Sequence, residues 1–156
     1  MKMLCGMIAL ATASVALANN SASFPKDKDK VTKYVVEKLD VTTLPTGLRP
    51  KRDHGKKTFS DYGYVTSSVD ENQAVVATPA GTQINIKLLE QKSSEIYVCV
   101  AGTGENPSDK IQRVFLLKLK DPGSLLKGRE SWKEFDACPV IGGTDHDSTA
   151  DAYGGD

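Results

Sequence analysis

The sequence predicts an α+β, β-rich domain: an antiparallel meander of about five strands, with an N-terminal helix before it and a short C-terminal helix after it. Three observations lead there. Apolar residues between positions 62 and 119 recur mainly at every second place, the strand period, whereas a three-to-four spacing is confined to 31–39. Adjacent strand candidates are joined by short polar stretches, and parallel neighbours would each need a crossover of a dozen or more residues. A capping-box spacing close to the C-terminal end supplies the second helix.

Before the first of these elements the chain reads as a leader. Lys2 is the sole charge ahead of Lys26, and an apolar run from Met3 to Leu17 follows it. Ala16, Leu17 and Ala18 supply the small-x-small pattern of signal-peptidase cleavage, so residues 1–18 are expected to be a signal peptide cut after Ala18. The run is short for a bilayer, which needs about twenty apolar residues, and no stable membrane span is expected after cleavage. Cys5 lies within the run and would leave with it. The expected location is therefore secreted or periplasmic.

Removing 18 of the 156 residues leaves 138, enough for one domain with its own core. Lys2 goes with the leader, so the 20 basic and 20 acidic residues become 19 and 20. That balance argues against a surface built wholly to trap nucleic acid, which is not an expected partner. Cys99 and Cys138 remain, and an even pair in an oxidising compartment reads as one disulfide closing a loop of about 40 residues. A redox-active pair would more often be spaced Cys-x-x-Cys.

Residues 19–30 are polar, with alternating charges from Lys26 to Lys30, and read as a flexible arm. The globular domain is expected over 31–140. Val31, Tyr34, Val35 and Leu39 form one helical stripe, with a strand over Tyr34–Leu39 as the alternative favoured by the β-branched content. Pro45, Gly47 and Pro50 end that element and open a long connector without a pattern of its own.

Tyr62–Ser68 and Gln73–Thr78 are the first two strand candidates, with Asp70, Glu71 and Asn72 between them. After Pro79, Ala80 and Gly81, the residues Ile84, Ile86 and Leu88 alternate with polar neighbours. In Glu95–Ala101 both faces are apolar: Ile96, Val98 and Val100 on one, Tyr97, Cys99 and Ala101 on the other. That marks a central strand covered on both sides. Gly102, Gly104 and Pro107 form a looser loop. Ile111–Leu119 follows, with Ile111, Phe115, Leu117 and Leu119 sharing a face, and Asp121, Pro122 and Gly123 stop it. Ser131 and Glu134 frame the expected C-terminal helix, whose Trp132 and Phe135 would cap the sheet. Residues 141–156 are rich in Gly, Asp, Ser and Thr and read as a disordered tail.

Sites are few. Arg49, Lys51, Arg52, His54, Lys56 and Lys57 gather five cations and a histidine against Asp53 alone, a segment able to grip an anion on a partner, although a solvated turn is the plainer reading. Aromatics lie just beyond the run, at Phe59 and Tyr62, rather than within it. Lys51-Arg52 is also a dibasic pair of the kind processed in eukaryotic secretion. A histidine-based triad would have to use His54, whose neighbours are cationic, and no Gly-x-Ser-x-Gly, His-Glu-x-x-His or phosphate-loop motif occurs. Asp145, His146, Asp147 and Asp151 match no calcium-loop or zinc spacing. Asn19-Asn20-Ser21 meets the glycosylation rule at the expected mature terminus. No catalytic residues, metal or cofactor are expected. The reading is a small exported non-enzymatic binding module, such as an inhibitor, immunity-type or accessory protein. It would act through the 45–62 connector and the 101–110 loop on a protein or anionic polymer partner outside the cytoplasm. The alternative is a small secreted hydrolase using acidic residues such as Asp61 and Glu95.

Overall fold

A computed structural model describes residues 23–104, 108–121 and 123–141. The expected leader with Cys5, the Asn19-Asn20-Ser21 triplet, the aspartates and histidine of 145–151 and the rest of 142–156 lie outside the described residues.

The helical stripe folds as expected. Helix α1 spans Lys28–Lys38 and buries Val31, Thr32, Val35 and Val36, while Lys33 and Glu37 stay on the solvent side. It starts three residues before Val31, inside the segment read as an arm. Just ahead of it Phe24 is buried edge-on against Tyr34 at 6.0 Å, and its amide donates to the Ser93 carbonyl at 3.0 Å. The helix stops where Leu39 turns extended, and a single 3₁₀ turn, Val41–Thr43, follows with Asp40 accepting from the Thr42 amide.

Six strands form one antiparallel sheet in chain order: β1 Val65–Val69, β2 Gln73–Ala77, β3 Gln83–Gln91, β4 Glu95–Thr103, β5 Lys110–Lys118 and β6 Lys127–Glu130. The meander is thus the expected one with an additional edge strand. β6 has no apolar residue and therefore no period to read; its pairing with β5, from Phe115 opposite Glu130 to Lys118 opposite Lys127, is what makes it a strand.

Alternation decides the two faces of the sheet. Ala74 and Val76, Ile84 and Ile86, Ile96, Val98 and Val100, and Phe115 and Leu117 all point to the inner face, where α1 closes over them. The helix packs on β1, β2 and β3, and its C-terminal end is clipped to the far side of the sheet. There the Leu126 amide donates to the Lys38 carbonyl at 2.8 Å and the Asp40 amide donates to the Leu126 carbonyl at 2.9 Å. One helix therefore spans the core from the first strands to the approach to the last.

The outer face of β4 is covered by a different device. No C-terminal helix forms among the described residues. Instead residues 131–141 run irregularly across the sheet, and Cys138 is bonded to Cys99 of β4. The Ser131 side chain accepts from the Lys133 amide at 3.2 Å, so the capping-box spacing is spent on a local turn. A tether at Cys138 and Pro139 immediately after it leave too short a stretch to nucleate a helix. Phe135 packs on Tyr97 at 5.5 Å as a covering aromatic, whereas Trp132 is 74% exposed. Cys99, Val114 and Cys138 form the small outer core, which makes β4 the doubly covered strand its sequence predicts.

Candidate functional site

The connector after the 3₁₀ turn is fastened to one end of the sheet by two apolar plugs. Leu44 and Leu48 are buried, and Leu48 lies against Gly102 at the end of β4, where a Cβ would stand 2.8 Å from the leucine methyl. Gly47 turns the chain at φ 96°, a left-handed conformation that side-chain-bearing residues rarely adopt, and passes so close to Ile111 that a Cβ would sit 2.7 Å from it. Leu48 thereby fixes where the next residues emerge, and those residues are Arg49, Pro50, Lys51 and Arg52.

They emerge along a groove of about 580 Å³. One wall is the connector from Gly47 to Asp53; the other is the β2–β3 turn around Pro79 with Thr103 and Gly104 at the end of β4. Tyr62 and Tyr64 line it as well. Their rings meet edge-on at 6.5 Å, and Tyr64 is backed by Phe59 at 5.5 Å. Burial pushes the Tyr64 hydroxyl above its ordinary pKa, so it is a neutral hydrogen-bonding group in the groove. The Tyr62 hydroxyl accepts from the Asp53 amide at 3.2 Å, tying the connector to the aromatic wall.

The five cations of the basic segment separate into two groups, and His54 belongs to neither. Arg49, Lys51 and Arg52 are exposed on the groove and have no carboxylate within ion-pair distance among the described residues. Lys56 is turned back into the fold: it pairs with Asp53 at 2.7 Å and lies 5.7 Å from the centre of the Tyr62 ring. That ion pair raises the lysine and lowers the aspartate from their ordinary pKa values. Lys57 faces the buried Asp40 carboxylate at 4.0 Å. His54 sits exposed on a turn outside the groove lining. A charge run that reads as one cluster in the sequence is thus a three-cation rim and a pair of structural lysines.

The acidic residues considered for hydrolysis are not brought together. Asp61 stands at the groove end of the sheet and accepts from the Lys57 and Thr58 amides at 2.9 and 2.8 Å. Glu95 begins β4 at the opposite end and pairs with Lys118 at 2.6 Å. Among the described residues no three His, Cys, Asp or Glu side chains gather as a metal site, and no helix is long and apolar enough to cross a membrane.

Two contributors to the groove escape a reading by segments. Tyr64 and the β2–β3 turn lie 12 or more residues after Arg52, and only the sheet register returns them to it. The available signal is the pair Tyr62 and Tyr64, aromatics two apart directly behind a basic connector.

No protein-family model, no curated protein and no solved structure matches the chain.

Proposed function

We propose that the protein is an exported, non-enzymatic binding module that holds an acidic segment of a partner protein in the groove between the connector and the β2–β3 turn. The observation that carries this reading is that residues 47–53 and Tyr62 of the connector meet Thr103 and Gly104, at the end of β4, on one concave surface. There Arg49, Lys51 and Arg52 stand without carboxylate partners among the described residues beside Tyr62 and Tyr64. Cations supply charge complementarity and tyrosines supply rigid amphipathic area, the combination that anchors protein interfaces. Loops carried on a rigid sheet are a common place for such recognition.

The β-rich fold with its Cys99–Cys138 bridge suits an oxidising compartment, and the leader-like residues 1–18 support export. Immobilised protein incubated with extracellular or periplasmic extract is expected to retain a stoichiometric acidic partner. Retention should fall at least tenfold in the Arg49→Gln, Lys51→Gln, Arg52→Gln variant and weaken with added salt. Retention unchanged in that variant, or no partner together with turnover of a glycan or peptide library, sinks the proposal.

A further inference from the structure

A second concave surface lies at the other end of the sheet. β4 runs from Glu95 to Thr103, so its two ends are roughly 25 Å apart; the groove is at the Thr103 end, and this hollow is beside the Glu95 end. It is about 720 Å³ and is lined by Leu116 and Lys118 of β5, Lys127 and Arg129 of β6, and Lys120, Asp121, Ser124 and Leu125 between them.

Its chemistry follows from the strand register. On the outer face Leu116 stands opposite Arg129, and Lys118 stands directly opposite Lys127. Like charges in directly opposed positions destabilise a strand pair. Glu95, on the far side of Lys118, offsets one of the two lysines. Lys127, Arg129 and Lys120 have no carboxylate within ion-pair distance among the described residues, and Asp121 is the only acid in the lining. Below the charges the surface is apolar: Leu116 forms part of the floor, Leu125 is 36% exposed on the loop, and the aliphatic stems of the lysines extend it.

An apolar floor with a cationic rim, in which Glu95 offsets Lys118 but leaves Lys127 without an ion-pair partner among the described residues, fits a ligand that has both parts. We infer that this hollow binds a single-chain anionic amphiphile, its acidic head on Lys120, Lys127 and Arg129 and its alkyl chain against Leu116 and Leu125. The head relieves the lysine repulsion, and the chain removes exposed leucine surface from water. The volume falls within the range of about 300–1,000 Å³ usual for small-molecule sites.

The test is a titration of the disulfide-bonded protein with sodium dodecanoate below its micellar concentration, followed by the methyl resonances of Leu116 and Leu125. Saturable one-to-one binding that moves those methyls is expected, weakening as salt rises. Replacing Lys120, Lys127 and Arg129 by Gln should weaken it at least tenfold, and Leu125→Asp should do the same. Both variants alter exposed side chains, and their circular dichroism should match that of the parent. The Arg49→Gln, Lys51→Gln, Arg52→Gln variant should bind dodecanoate as the parent does, which separates this site from the groove. Three results would overturn the inference: no saturable binding, equal binding of dodecyltrimethylammonium, or acetate binding as tightly as dodecanoate.

Discussion

At the residue scale, Asp61 shows how a carboxylate that reads as a catalytic candidate is occupied by the backbone. Its oxygen accepts from two consecutive amides, those of Thr58 and Lys57, and these bonds hold its pKa below the ordinary 3.8. A carboxyl depressed in the folded state contributes stability that is complete above its unfolded pKa and is lost as pH falls through its folded pKa. The turn from Lys57 to Asp61 should therefore loosen only below about pH 4, with no change between pH 5 and 8. An amide NMR titration checks this: the Lys57 and Thr58 resonances should move together with a midpoint under 3.8, and Asp61→Asn should abolish the transition. A midpoint at or above 3.8 would show that the carboxylate is not held by those amides. Glycine acts at the same scale with the opposite chemistry. At Gly47 the positive φ and the nearness of Ile111 leave no room for a side chain, so the rim cations emerge where they do because one position carries nothing.

At the element scale, the C-terminal segment is secured more by its covalent tether and its hydrogen bonds than by local propensity. Residues 131–141 have no regular structure, yet the Gln112 side chain donates to the Pro139 carbonyl at 2.7 Å and Arg113 donates to the Ile141 carbonyl at 2.7 Å. Arg113 is itself buried and pairs with Glu130 at 3.0 Å. Lys133 lies over both Tyr97 and Phe135 and bonds to Glu90, which is lowered from its ordinary pKa chiefly by that lysine. The Cys99–Cys138 bridge closes about 40 residues, and chain-entropy reasoning puts its contribution at about 4 kcal/mol as an upper figure. Replacing both cysteines by Ala should lower the unfolding free energy by about 2–4 kcal/mol in urea and expose Tyr97 and Phe135 to solvent. Thiol counting on the parent should find neither Cys99 nor Cys138 reactive before reduction.

At the scale of the whole molecule, cohesion rests on α1 reaching across the inner face. Leu126 is fully buried there, and its backbone bonds to Lys38 and Asp40 join the helix end to the approach to β6. Leu126→Ala should cost about 2–5 kcal/mol, the range for a buried leucine whose cavity relaxes only in part. Urea unfolding checks it, with the denaturant slope unchanged because the same surface is exposed on unfolding. A loss under 1 kcal/mol would mean the helix is not held at that point.

Much of this architecture is legible in the chain because it is local. The period-two segments, the helical stripe at Val31, Val35 and Leu39, and the two apolar faces around Cys99 are all statements about neighbours in sequence, and alternation leaves few ways to bury them. The cysteine pair was legible by parity once Cys5 was assigned to the leader. β6 was not, because a polar edge strand is defined by the partner it borders; nor was the irregular course of residues 131–141, because a distant disulfide outweighs a local capping pattern. The division of the basic segment was beyond the sequence for the same reason. Whether Lys56 and Lys57 turn inward while Arg49, Lys51 and Arg52 face a groove depends on Tyr62 within the connector and on Asp40 and Gly102, which only the folded structure brings to it. The sequence by itself thus determined the first five strands of the meander, the N-terminal helix and the pairing of the cysteines. The tertiary structure alone decided which cations line the groove, because a cavity is set by distances between residues far apart in the chain.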